Sequence, residues 1–94
     1  MESLFTTFSS FVNEIKIFET GSGTKFISGK RFVEKQTVLF TMSYSELHGG
    51  HFVISCDINE QTYVLATGSK NTMEKSIPKI FSDSTTLKTL VSQM

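Results

Sequence analysis

Two imidazoles on either side of a glycine pair, His48-Gly49-Gly50-His51, are the first residues in this chain whose types and spacing could do chemistry. Side chains near a tight turn can converge on a metal ion, and a zinc site takes three or four ligands. The sequence offers no cysteine pair and no third histidine, which leaves Glu46, Asp57 and Glu60 as the nearby additions. Strand alternation sends His51 outward and Glu46 toward the core side, so the set does not converge and no metal is expected. The hairpin tip is read instead as a place to touch a partner.

Cys56 and His51 have the composition of a thiolate–imidazole pair. Positions 51 and 56 differ by an odd number, so on one strand they project from opposite faces. Cys56 therefore reads as a small buried hydrophobe, and no catalytic residue is assigned. The two glycine-rich stretches fare no better as phosphate loops. Gly21-Ser22-Gly23-Thr24-Lys25 lacks the Gly-x-x-x-x-Gly-Lys spacing, and Phe26 stands where a dinucleotide fingerprint needs its third glycine. Gly68-Ser69-Lys70 follows a strand without preceding glycines, and neither stretch opens a convincing helix. Both read as turns, and no cofactor is expected.

Nine basic and nine acidic residues give zero formal charge, so a dominant phosphate-binding surface is not expected. Lys25, Lys30, Arg31 and Lys35 nevertheless cluster, with Phe26 and Phe32 interleaved as a single-stranded nucleic acid would want for stacking. Phe26 and Phe32 share strand parity, and that parity sends both to the core. Lys25 and Arg31 then fall on the opposite face while Lys30 joins the phenylalanines. The segment reads as a solvated strand whose lysines discourage edge-to-edge aggregation.

The elements that position these residues follow from periodicity. In Val38 to Ser45 and Phe52 to Ile58 the bulky residues stand at even positions, which marks two half-buried strands. Even must pair with even, since a one-residue slip would mix the two faces. A three-residue loop, His48 to Gly50, meets this condition and pairs Tyr44 with Ile54, Met42 with Cys56 and Phe40 with Ile58, with Gly50 left-handed. The next connection needs the opposite parity. A two-residue Asn59-Glu60 turn of type I′ supplies it, setting Cys56 against Tyr63 and Ile54 against Leu65. Thr37 to Thr67 thus forms three antiparallel strands with one apolar face. Core membership is expected for Phe8, Phe40, Ile54 and Leu90.

Leu4, Phe5, Phe8, Phe11, Val12 and Ile15 recur at helical spacing, which predicts an amphipathic helix of about three turns. Leu87, Leu90, Val91 and Met94 predict a second helix, capped by Ser82, Asp83 or Ser84, with Pro78 in an extended lead-in that disfavours helix at Ser76-Ile77. Glu14 to Glu19 and Lys25 to Val33 read as two further strands around Thr20 to Thr24. The sum is a single α+β domain over residues 1–94: an antiparallel β-meander of about five strands with N-terminal and C-terminal helices packed on one face. The outer face carries Thr41, Ser43, Ser45, Ser55, Thr62 and Ala66, interrupted by Leu39, Val53 and Val64. It is flat enough to pack on another protein or on a second copy. The order of helix, meander and helix resembles, in architecture alone, several small binding modules, among them the RNA-binding Alu-domain proteins of the signal recognition particle. Those proteins are basic where this chain is neutral, and a fold does not carry function by itself.

At this length a chain buries roughly 60–65% of its unfolded surface, enough for one core. No apolar run approaches the ~20 residues of a membrane span, and the N-terminus lacks the basic start and continuous apolar stretch of a signal peptide. With the single Cys56 giving no disulfide signal, a cytoplasmic protein is expected. One Ala, one Arg and one Pro against nine Phe, eight Lys and seven Ile point to an AT-rich gene, as in a phage, another virus or a low-GC bacterium. The expectation is a small, non-enzymatic protein-binding module, of the kind a phage or virus directs at a host protein as inhibitor or adaptor. Its contact residues would be His48, Gly49, Gly50, His51 and Val53. The alternative is a nucleic-acid binder using Lys25, Lys30, Arg31 and Lys35.

Overall fold

The structure is a computed structural model that describes residues 2–33, 35–46 and 50–82. Its elements run α1 (Glu2–Ser9), β1 (Asn13–Glu19), β2 (Thr24–Val33), β3 (Gln36–Ser45), β4 (His51–Ile58), β5 (Gln61–Gly68) and α2 (Lys70–Ser82). The five strands form one antiparallel sheet in the order β1-β2-β3-β4-β5. The α+β meander expected from periodicity is present, and β1 and β2 belong to the same sheet as the other three.

The parity argument holds where it was strongest. Val38, Phe40 and Met42 of β3 and Phe52, Ile54, Cys56 and Ile58 of β4 are buried. The Asn59-Glu60 turn has φ of 48° and 68°, the double left-handed geometry of type I′, and Cys56 lies opposite Tyr63 as expected. Beyond that pair the register shifts. Ser55 faces Val64 and Ile54 faces Ala66, so Leu65 is the extra residue of a β-bulge and does not oppose Ile54. The β3–β4 connection also differs from expectation. Tyr44 faces Phe52, Met42 faces Ile54 and Phe40 faces Cys56, so the loop spans residues 46–50 and not 48–50. Burial fixes odd against even but is indifferent to a shift of two; the Tyr44 and Phe52 rings, 4.6 Å apart, belong to the longer loop's register. Gly50 takes φ of 82°, left-handed as required.

The N-terminal helix is shorter than its apolar stripe. Leu4, Phe5 and Phe8 are buried on α1, but the chain then tightens through hydrogen bonds from Phe11 N to Phe8 O and from Val12 N to Ser9 O. Ser9 Oγ and Ser10 Oγ donate back to the carbonyls of Thr6 and Thr7, the local competition that makes serine a poor helix interior. Val12 still reaches the core, whereas Ile15 stands in β1 and is 43% exposed.

The largest correction concerns the C-terminal half. Ser76-Ile77 and Pro78 lie inside α2, not in an extended lead-in, and Ser82 ends that helix where a cap for the next was expected. Gly68-Ser69 does open a helix: Met73 N donates to Ser69 O at 3.0 Å. An interior proline costs a helix about 3 kcal/mol. Met73, Ile77 and Phe81, spaced four apart on one stripe, are all buried, and each full burial is worth about 1.5–3 kcal/mol, so packing outweighs the local penalty. The helix expected around Leu87, Leu90, Val91 and Met94 lies outside the described residues, as do Asp83 and Ser84.

One buried cluster joins α1, α2 and the sheet. Phe81 is its hub: its ring stacks on Phe11 at 4.9 Å and meets the edges of Phe8 at 5.9 Å and Phe40 at 5.0 Å. Phe8, Phe40 and Ile54 are core residues as expected.

Candidate interaction surface

The strand β2 reverses its expected orientation. Its register with β3 sets Ile27 opposite Met42, Gly29 opposite Phe40, and Arg31 opposite Val38, so its odd residues share the buried side. Phe26, Ser28, Lys30 and Phe32 face the other way, beside Ser43, Thr41, Leu39 and Thr37. Phe32 is 69% exposed, and Phe26 stacks on Phe18 of β1 at 5.1 Å. Neither phenylalanine belongs to the core to which parity assigned it.

The basic cluster is divided by the same reversal. Lys25 lies with its ammonium 5.7 Å from the centroid of Phe5 of α1. Arg31 donates from Nη1 to Phe11 O at 2.9 Å and from Nη2 to Phe81 O at 3.4 Å, with its guanidinium over the Phe81 ring. It ties the end of α2 to the α1–β1 connection, a fastening role rather than a ligand-facing one. Lys35 sits in the β2–β3 turn with φ of 68°. Lys30 is on the open side, 3.3 Å from Glu14 Oε2 in an exposed ion pair. A depression of about 300 Å³ lies there, lined by Glu14, Lys16, Ser28, Lys30 and Leu39.

Of the residues expected to contact a partner, His48 and Gly49 lie outside the described residues. Gly50 precedes β4, His51 opens it opposite Ser45, exposed, and Val53 is half-buried opposite Ser43. His51 and Val53 share the open side with Leu39, Thr41, Ser43, Ser55 and Asp57. That side continues across β5 through Thr62, which donates a hydrogen bond to Asp57, and Val64, which is 62% exposed. Phe18 and Lys16 were not singled out by the sequence, and Phe26 and Phe32, weighed there for base stacking, were assigned to the core. The β2–β3 turn held the signal: two residues between Val33 and Gln36 impose odd-against-even pairing.

Cys56 is buried, and desolvation, with a smaller contribution from the charge of Asp57, pushes its thiol from 9.0 up to about 11. A thiol held protonated is a poor nucleophile. Iodoacetamide at pH 7.5 is expected to leave native protein unmodified and to alkylate it fully in denaturant; rapid labelling of the native state would show that this face opens. Because the unfolded thiol ionises first, stability is expected to fall as pH rises from about 9 toward 11.

Among the described residues no three His, Cys, Asp or Glu side chains could hold a metal ion together, and no helix is long and apolar enough to cross a membrane. The fold and surface define an α+β meander domain displaying aromatic and aliphatic side chains on a sheet. No family model, curated protein or solved structure gives a significant match to the chain.

Proposed function

We propose that this protein is a non-enzymatic binding module that acts by protein contact. In this reading the two helices cover one side of the sheet and the other side is the contact surface. The supporting observation is the exposure of Phe18, Phe32 and Val64, at 52%, 69% and 62%, on the side that also carries Phe26, Leu39 and Val53. An apolar patch of that kind, with Thr41, Ser43 and Ser55 at its flat centre and charges toward its margins, has the anatomy of a protein interface. The AT-rich composition fits a phage or viral source, in which such a domain would act on a host protein in the cytoplasm.

A second reading, single-stranded nucleic acid, draws on one observation. Lys16 and Lys30 alternate with Phe18, Phe26 and Phe32 on this same side, the arrangement of a stacking platform. Glu14, Asp57 and the zero net charge weigh against it.

Affinity capture from lysate of the source or its host, with and without nuclease, tests both. Val53→Asp places a charge at the centre of the face and Phe32→Ser removes its most exposed ring. Wild-type protein is expected to retain one nuclease-resistant protein that both folded variants lose. Undiminished capture by both would move the contact elsewhere, and capture abolished by nuclease would move the function to nucleic acid.

A further inference from the structure

The open face is divided into two unlike halves. The β1–β2 half carries aromatic rings, two ammonium groups and one carboxylate, a net positive set: Phe18, Phe26, Lys16, Lys30 and Glu14. The β4–β5 half carries aliphatic side chains and a carboxylate: Val53, Val64 and Asp57. Strand β3 runs between them, and the registers on its two sides match the halves level by level. Leu39 lies opposite Lys30 on one side and Asp57 on the other. Thr41 lies between Ser28 and Ser55, and Ser43 between Phe26 and Val53.

We infer that the occupant of this face is a second copy of the chain, related by a two-fold axis running along β3. The inference rests on the open face being the contact surface. Such an axis lays β2 of one copy over β4 of the other without shifting the level along the strands. Lys30 then meets Asp57 of the second copy and Phe26 meets Val53, while Ser28, already buried within its own chain, adds little. Every contact occurs twice, as an isologous interface requires. One strand further out, the opposite-residue relations of β1 with β2 and of β4 with β5 bring the Lys16 stem over Val64 and Phe18 over Thr67.

Packed sheets lie about 10 Å apart with strands within about 30° of each other, a separation that a lysine and an aspartate together can span. The other in-plane axis, across the strands at the level of Thr41, fits worse: it faces Lys16 with its own symmetry mate and sets Asp57 against Val53. Charge complementarity between the halves selects the axis along β3. The Glu14–Lys30 pair does not stand in the way, because both side chains are more than half exposed and such pairs are weak.

Sedimentation equilibrium of the full chain over a wide concentration range supplies the test. Wild-type protein is expected to reach twice its 10.5 kDa mass as concentration rises. Lys30→Glu and Asp57→Lys each set like charges against each other at both contacts, and each is expected to raise the dimer dissociation constant at least about tenfold. An equimolar mixture of the two variants joins the new carboxylate to the new ammonium at one contact and retains the native pair at the other. It is expected to recover dimerisation, a result that misfolding of either variant cannot produce. A wild-type chain that stays monomeric, a dimer that neither substitution weakens, or a mixture that stays monomeric would each overturn the two-fold assignment. A monomer that captures a different protein, with capture lost on Val53→Asp, would overturn the second copy as occupant while upholding the face as a contact surface.

Discussion

Phe81→Ala is expected to lower the unfolding free energy by about 3–5 kcal/mol. The ring is 3% exposed and bridges α1, through Phe8, to the sheet, through Phe40, while stacking on Phe11. Truncation removes burial and leaves a cavity with three aromatic rings on its walls. Those rings are fixed to three different segments, so the site cannot collapse without moving a helix, and a site that cannot collapse lies at the costly end of the range. Arg31 loses the face over which its guanidinium rests, though its bonds to Phe11 O and Phe81 O are to backbone and survive the substitution. Urea unfolding followed by circular dichroism measures the loss, and in a domain of this size it corresponds to a melting midpoint lower by more than about 10 °C. Phe81→Leu, which refills much of the volume, is expected to recover over half of it. A loss below about 1 kcal/mol for the alanine variant would mean that α2 does not anchor the fold.

That hub was not visible in the sequence, and the reason is local. Pro78, Asn71 and Thr72 weaken the helical signal, while Met73, Ile77, Ile80 and Phe81 carry it with only four apolar positions. The restriction that proline places on its predecessor pointed to extended chain. Tertiary burial of the stripe decided otherwise. The sheet was far more legible, because Phe40, Met42, Ile54 and Cys56 alternate with Ser and Thr and leave a single face to bury. What alternation could not settle was a shift by two residues, which preserves every face. The β3–β4 loop and the bulge at Leu65 are differences of that kind or of local insertion.

The open face was half legible. Its β4–β5 portion, with Val53, Ser55 and Val64, follows from parity and lies on the outer side, but Ala66, also assigned there, is turned to the core side opposite Ile54 by the bulge at Leu65. Its β1–β2 portion did not follow, because both sides of β2 present two large apolar residues: Ile27 and Val33 on one, Phe26 and Phe32 on the other. Size favoured the phenylalanines for the core. The structure buries the smaller pair and lets two cations share their side, since Lys25 lies against Phe5 and Arg31 finds carbonyl acceptors at the ends of two helical segments. A charged residue on a buried side is tolerated when its head reaches a partner, which composition alone does not reveal.

Gly29 is where that arrangement is most constrained, and Gly29→Ala is expected to destabilise the protein by about 1–3 kcal/mol. A β-carbon there would lie 2.3 Å from Val12 Cγ2, 2.8 Å from Val12 Cβ and 3.2 Å from Asn13 O. The first contact could be relieved by turning the valine, at the strain of leaving its preferred rotamer. The second cannot, because Cβ moves only with the backbone, and the backbone at Asn13 starts β1. Relief therefore requires shifting the α1–β1 connection, whose Phe11 carbonyl is held by Arg31. Against this stands a gain of about 0.4–1 kcal/mol, because alanine restricts the unfolded chain more than glycine does. Gly29 has no positive φ, so backbone conformation does not oppose alanine, and the sign of the measured change reports the clash directly. In a double-mutant cycle, Val12→Ala removes the 2.3 Å contact but not the 2.8 Å one, so the paired variant should recover part of the loss and no more. A Gly29→Ala protein as stable as its parent would show that the connection yields freely, and that the close seat of Val12 on β2 does not fix the α1–β1 connection to the sheet.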